Sequence, residues 1–427
     1  MHIIVVGAGI SGAATALALA EAGHSVEIIE AAGRPATGAS FANAGLVSPG
    51  HCFSWAEPGV VGVALKSLLG LGDGIGIHGP WSGALARWAA LFAGEASEAR
   101  WLANSRAALV LASYSRDLLF GQGGVAAEDY GGRQAGILYL YGPGQGPGAH
   151  DVQLLQAAGE PFAELDAAQV LEREPLLAQA RVGFAKGVYC ARDGTGDAAR
   201  YAQAAIERAC VTKAVARFAE QVLEVEVEAG VAVGVRTHQG RRRADAVVVA
   251  AGLASAPLLA PLGLRLPIHP VTGYSLSYPL GRIPRPSVGA VSIPHKVAWA
   301  VFGQTLRFTG FADVGQPGPG KIEQRFAALQ RFAEQVCPQL QGVTATQWLG
   351  QRPMTPDNLP FLGTCQVRNL LLNCGHGAMG WTMACGSARI VSDLVAGRQP
   401  AIDLAPYRWD RYGLFGRRGD QRWSSSR

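Results

Sequence analysis

The first thirty residues constrain the fold most. Residues 3–6 (IIVV) are a short, fully apolar run that reads as a buried parallel strand. Gly7, Gly9 and Gly12 follow directly in GAGISG, and ATALALAEAG then reads as a helix stopped at Gly23. A second strand, SVEIIE (25–30), closes on Glu30, an acid about 20 residues beyond the glycines. Each glycine has a physical role in such a unit. Gly7 permits the tight turn, Gly9 admits a pyrophosphate close to the backbone, and Gly12 lets the helix pack on the strand with its N-terminal amides facing the phosphates. Glu30 suits a ribose hydroxyl and would repel a 2′-phosphate, which disfavours a phosphorylated nicotinamide cofactor. The expectation is a dinucleotide site, and the motif alone does not separate FAD from NAD.

A chain of 427 residues exceeds one ordinary core, so two domains are expected. With 49% hydrophobic and 16% charged residues it belongs among globular proteins. The net charge of +5 is spread over scattered arginines, which gives no stripe for a nucleic acid and excludes that partner class. The seven cysteines contain no CxxC pair and no regular spacing, so reduced thiols are expected and neither a disulfide framework nor a metal site is. No basic n-region precedes the first strand and no apolar run reaches membrane-spanning length, which points to a cytoplasmic setting. Residues 60–94 are apolar but broken by glycines and a proline. Helices packed over a pocket are expected there, with peripheral contact at the inner face of the plasma membrane as the alternative.

Three later segments bear on the ligand. Residues 218–249 alternate as a β-meander whose last strand, in ADAVVVAAG, breaks at Gly252 and can return to the nucleotide. Residues 369–397 repeat the strand, glycine turn and helix pattern, with Gly375, Gly377 and Gly380 leaving room for something large and flat. A helix starting near Gly380 would aim its positive end at that object, while Ala384, Gly386 and Ala388 equally suit tight helix packing. Finally, GQRPMTPDNLPFLG (350–363) sets Arg352 before one proline with two more behind it, and reads as a rigid turn.

Taken together, VVGAGISG, SFANAGLVSPG (40–50), TGDAARYAQ (195–203), PVTGYSLSYP (270–279), GQRPMTPD (350–357) and CGHGAMGWTMACGS (374–387) resemble the FAD-dependent D-amino acid dehydrogenase small-subunit family, within the wider D-amino acid oxidase and glycine oxidase fold. The resemblance runs over nearly the whole chain. It implies an α/β and α+β architecture: a discontinuous Rossmann-like FAD-binding domain from residues 1–60, 191–262 and 351–427, and a substrate domain from 61–190 and 263–350 with a mixed or antiparallel sheet and covering helices. It also implies cofactor contacts from Gly7, Gly9, Ile10, Gly12, Glu30 and Ala31, from the loop residues Ser40, Asn43, Ala44, Gly45 and Leu46, from Val222, Ala251 and Gly252, and from Gly377, Met379, Gly380, Trp381 and Thr382. Relatives with covalent flavin carry a cysteine just before the TPD-type turn; here none lies between Cys337 and Cys365, so the FAD is expected to be non-covalent.

The reaction implied is oxidative deamination of a D-amino acid to a 2-oxo acid and ammonia, with hydride leaving Cα for flavin N5 and electrons passing to a quinone or other carrier. Holding the substrate carboxylate favours a guanidinium, whose planar fork makes two charge-assisted hydrogen bonds. The resemblance nominates Arg352 for that clamp, with Tyr274 as a second donor and His51 facing the substrate in place of the family's usual tyrosine. His295 is a second departure near the pocket, and the tyrosines of GILYLYG (136–142) are weaker candidates. No side-chain general base is required, since the amine can lose its proton to solvent. Three alternatives remain open: a flavoenzyme acting on secondary or cyclic amino acids (D-proline, D-hydroxyproline, sarcosine or glycine), a nicotinamide-dependent dehydrogenase, and a non-catalytic FAD-binding subunit.

Overall fold

The computed structural model describes residues 1–60, 62, 74–80, 82–121, 124–281 and 283–413. Its first sheet grows around the N-terminal strand His2–Val6, which pairs in parallel with Ser25–Ile29 on one side and Ala246–Val249 on the other. The full order is Phe361–Thr364, Leu370–Cys374, Ala246–Val249, His2–Val6, Ser25–Ile29, Ala214–Arg217, and all pairings are parallel except the one between Phe361–Thr364 and Leu370–Cys374. Parallel strands covered on both faces must be apolar throughout, and Ile3, Ile4, Val5, Val247 and Val248 are fully buried. The small-residue helix Ile10–Glu21 packs on this sheet against helices Ala198–Thr212 and Gly380–Val395. Its approach depends on Gly12, because a Cβ there would drive into the Gly7 carbonyl.

The meander is three-stranded and antiparallel, as Val222–Glu228, Val231–Thr237 and Gly240–Arg243. The ADAVVV segment expected to complete it instead joins the parallel sheet beside His2–Val6. Burial decides this: Ala246 to Val249 are buried on both faces, whereas the alternating meander strands expose one face.

The second sheet is nine-stranded and mixed. From one edge it runs Thr346–Met354, His269–Pro279, Thr305–Val314, Val297–Phe302, Gly289–Ser292, Ile137–Tyr141, Lys186–Cys190, Phe162–Asp166, with the short strand Ile75–Ile77 paired to the end of Thr305–Val314. One face packs on helix Pro319–Val336 around Tyr274, Tyr278, Trp299 and Phe308. The opposite face borders a cavity between this sheet and the first.

Arg352 lies in the edge strand Thr346–Met354, opposite Val271, and not in a turn. Pro353 is tolerated because an edge strand leaves half its backbone donors unpaired. The strand also runs through the boundary expected at 350/351, so residues 351–354 belong to the second sheet. The rigid turn follows it, where Asp357 receives two hydrogen bonds from Arg411, at 2.6 and 2.9 Å. In the apolar 60–94 stretch, residues 61, 63–73 and 81 lie outside the described residues, while helix Gly83–Gly94 turns Trp88 and Phe92 onto the cavity.

Candidate active site

One continuous cavity of about 1360 Å³ joins the glycine turn to Arg352. At its first end it is lined by Gly7, Gly9, Ile10, Glu30 and Ala31. The Glu30 carboxylate accepts from the amides of Ala8 (2.7 Å) and Ala32 (2.8 Å), which fixes it at the rim of the turn. Ser40 Oγ accepts from the Ile10 amide at 3.1 Å, so the 40s loop caps the start of the helix. That loop continues along the cavity through Asn43, Ala44, Gly45 and Leu46. Asn43 Oδ1 closes an Asx turn with the Gly45 amide at 2.9 Å, and the Asn43 carbonyl accepts from the buried Arg307 at 3.1 Å. Arg307 therefore ties the loop to the second sheet.

Val222, Ala251, Gly252, Gly377, Met379, Gly380 and Trp381 also line the cavity. Two of the expected contacts do not. Gly12 lies behind the turn, packed on Gly7. Thr382 is buried, where its hydroxyl donates to the Leu46 carbonyl (3.2 Å) and accepts from the Ser48 amide (3.2 Å), so its side chain holds the 40s loop. His376, not singled out from the sequence, sits under the C-terminal turn within 3.1 Å of Ser387 Oγ. Burial pushes its pKa down to about 4, so it is neutral at physiological pH.

At the other end, the Arg352 side chain lies across Gly273 and donates from Nη1 to the Phe311 carbonyl at 3.0 Å. Among the described residues, no carboxylate comes within ion-pairing distance of it. Burial pushes its pKa down to about 10, with Asp313 pulling the other way, and it stays cationic at neutral pH. A half-buried guanidinium that lines a cavity, with one donor spent on the Phe311 carbonyl, is a ready anion site.

Tyr274 is not beside it. Alternation along the strand puts Val271 and Gly273 on the cavity face, and Tyr274 on the opposite face against helix Pro319–Val336. Its hydroxyl donates to Asp313 Oδ2 at 2.7 Å, and burial together with that carboxylate raises its pKa well above the ordinary phenol value. Asp313 is fully buried; hydrogen bonds from Arg325, Tyr274 and His78 outweigh its desolvation and hold its pKa below the usual range. Tyr274→Phe should therefore leave kcat/KM within about threefold while lowering stability by about 1–3 kcal/mol, the loss of one donor to a buried acceptor. Steady-state kinetics beside a urea unfolding curve would check both.

His51 does open onto the cavity, with its ring 5.3 Å from that of Tyr139 on the sixth strand of the sheet, whereas Arg352 lies on the first. The ring is exposed to the cavity, and desolvation by the cavity walls, reinforced by the Lys296 charge, lowers its pKa. It is thus a neutral hydrogen-bonding group. Tyr139 lines the cavity by its ring, while its hydroxyl is committed to Asp193 at 2.6 Å. His295 is exposed, held by Ser292 at 2.7 Å and tilted against Phe332, and does not border the cavity. The second sheet faces the cavity with two aromatic residues that the sequence did not flag, Trp348 and Phe311. The signal was available only as spacing: on a strand, Trp348, Gly350 and Arg352 share one face.

Comparison with known proteins bears on the family and the fold. Residues 2–394 match the family model of the FAD dependent oxidoreductases termed DAO. A D-amino acid dehydrogenase of Cereibacter sphaeroides is 37% identical, with 98% of this chain and 97% of that one aligned. One from Rhizobium rhizogenes is 36% identical over 97% of this chain and 100% of that one. Among solved structures, glycine oxidase from Geobacillus kaustophilus superposes with a TM-score of 0.70 at 25% identity, covering 96% of this chain and 98% of its own. L-Proline dehydrogenase from P. horikoshii superposes with a TM-score of 0.69 at 18% identity, over 97% and 98% of the two chains, a likeness of fold.

Proposed function

Because this chain belongs to the DAO family of FAD dependent oxidoreductases, we propose that it oxidises D-amino acids to 2-oxo acids and ammonia, with Arg352 holding the substrate carboxylate. The observation that carries this reading is the cavity itself, which runs from a dinucleotide turn to a half-buried guanidinium that, among the described residues, has no carboxylate partner. FAD fits the first part of it. Gly7, Gly9 and Ile10 form the turn and helix start that would take the pyrophosphate, Glu30 is fixed where a ribose would lie, and Met379 to Trp381 present a helix N-terminus suited to negative charge on a reduced ring. The cavity-lining cysteine is Cys374, which is buried with its thiol pushed up to about 12, consistent with non-covalent attachment.

FAD when bound supplies the two-electron acceptor for the Cα hydrogen, transferred as hydride. The protein's part is positional. Arg352 fixes the carboxylate through two parallel hydrogen bonds, and the sheet and helix Gly83–Gly94 line the site on either side. The amine loses its proton to solvent, and the imino acid formed hydrolyses after release. Electrons then pass to a quinone or another carrier. Among the described residues no helix is long and apolar enough to cross a membrane.

Anaerobic mixing with matched D- and L-amino acids, together with proline, hydroxyproline, sarcosine and glycine, tests the reading. D-Alanine should bleach the flavin and L-alanine should not; bleaching by the secondary amines alone would replace it with the alternative suggested by the likeness to glycine oxidase. Oxygen consumption as fast as reduction of a quinone analogue would remove the proposed acceptor.

A further inference from the structure

Arg352 and Trp348 converge on the same patch of sheet. Gly273 and Gly350 are directly opposed in register, so the faces of their α-carbons adjoin. A Cβ on Gly273 would collide with the Arg352 guanidinium, and a Cβ on Gly350 would collide with the six-membered ring of Trp348. Both side chains therefore fold inward from either end of Trp348-Gly350-Arg352 and lie flat over a pair of glycines, on the cavity face. The indole is backed by Phe41 from the cofactor-side loop, with ring centroids 6.1 Å apart. Arg352 is not stacked on it, since the aromatic ring beneath the guanidinium is that of Trp55, 6.0 Å away. A carboxylate held by Arg352 thus brings its α-carbon and side chain up against an indole otherwise unused.

We infer that Trp348 is a specificity-determining residue that packs against the substrate side chain and favours large apolar and aromatic D-amino acids over small ones. This rests on the proposed clamp at Arg352. Contact with an indole rewards area: each methylene buried changes kcat/KM by roughly 10-fold or more, and a ring adds offset or edge contacts. D-Alanine reaches the guanidinium but offers the indole only a methyl group. The two glycines are then part of the device, since any side chain at 350 would lift the indole from its place.

The test is the ratio of kcat/KM for D-phenylalanine to that for D-alanine in wild type, Trp348→Ala, Trp348→Phe and Gly350→Ala, each loaded with FAD. Trp348→Ala should lower kcat/KM for D-phenylalanine at least about tenfold and change that for D-alanine by less than about threefold, so the ratio collapses. Trp348→Phe should restore most of the ratio, and Gly350→Ala, which keeps the indole but displaces it, should reproduce the loss. Equal losses on both substrates would overturn the proposal by showing that Trp348 acts through Arg352, and an unchanged ratio would overturn it outright. Failure of the underlying reading looks different: wild type would then be reduced by neither D-amino acid.

Discussion

Arg352→Ala should lower kcat/KM for D-amino acids by about 10²–10⁴ while FAD stays bound. The guanidinium lines the cavity half-buried, its Nη1 donates to the Phe311 carbonyl, and among the described residues no carboxylate neutralises it. Hydrogen bonds to a charged partner contribute about 1.5–3 kcal/mol each, and a bidentate pair therefore about 3–6 kcal/mol, which is the range stated. Arg352→Lys should recover a small part of the loss, because an ammonium supplies charge without the planar fork. Since the carboxylate is held in ground and transition state alike, the loss should fall first on KM, and on kcat as far as the looser substrate misplaces Cα. Flavin content and its visible spectrum are the controls, as Arg352 lies on the second sheet and not at the dinucleotide turn. A variant within about threefold of wild type would sink the clamp assignment and favour a non-catalytic FAD-binding role.

What could be read in the sequence divides by the range of the interactions that decide it. The N-terminal unit is local: strand, turn, helix and acid lie within thirty residues, and each element is set by its neighbours. Arg352 was legible as a cation needing a reason, yet its surroundings were misread. Three prolines suggest a turn; the edge position of Thr346–Met354, which makes Pro353 harmless, exists only once the sheet is assembled. Tyr274 shows the limit more sharply. Alternation puts Tyr274 on the face opposite that of Gly273, but which of the two faces meets helix Pro319–Val336 and which the cavity is decided by packing that is not written in PVTGYSLSYP. Thr382 adjoins residues that do line the cavity, but its hydroxyl is claimed by Leu46 and Ser48, more than 330 residues away. Trp348 was passed over because an aromatic residue on a strand reads as core until the cavity beside it is known.

Gly12→Ala and Gly9→Ala should separate the structural and ligand-binding halves of the glycine turn. At Gly12 the added methyl meets backbone: it would run into the Gly7 carbonyl oxygen and lie 2.9 Å from its carbon. Gly7 cannot retreat, since its φ of +102° holds the turn and its amide donates to the Ile29 carbonyl at 2.8 Å. Helix Ile10–Glu21 must therefore move off the strand, carrying its N-terminal amides with it. Overpacking of this kind costs about 1–3 kcal/mol, and more where only backbone can yield. The protein freed of FAD should melt several degrees lower, and FAD affinity should fall at least about tenfold. At Gly9 the same methyl would meet only Ser40 Oγ, at an ordinary 3.5 Å, and otherwise projects toward the cavity. Gly9→Ala should thus leave the melting temperature of the FAD-free form near wild type while weakening FAD binding, because the methyl occupies the space a pyrophosphate needs. Adding FAD should then raise the melting temperature of wild type strongly and that of Gly9→Ala little, by mass action on the folded state. Equal destabilisation of both FAD-free variants would contradict this division. Full FAD binding by Gly9→Ala would place the pyrophosphate elsewhere in the cavity.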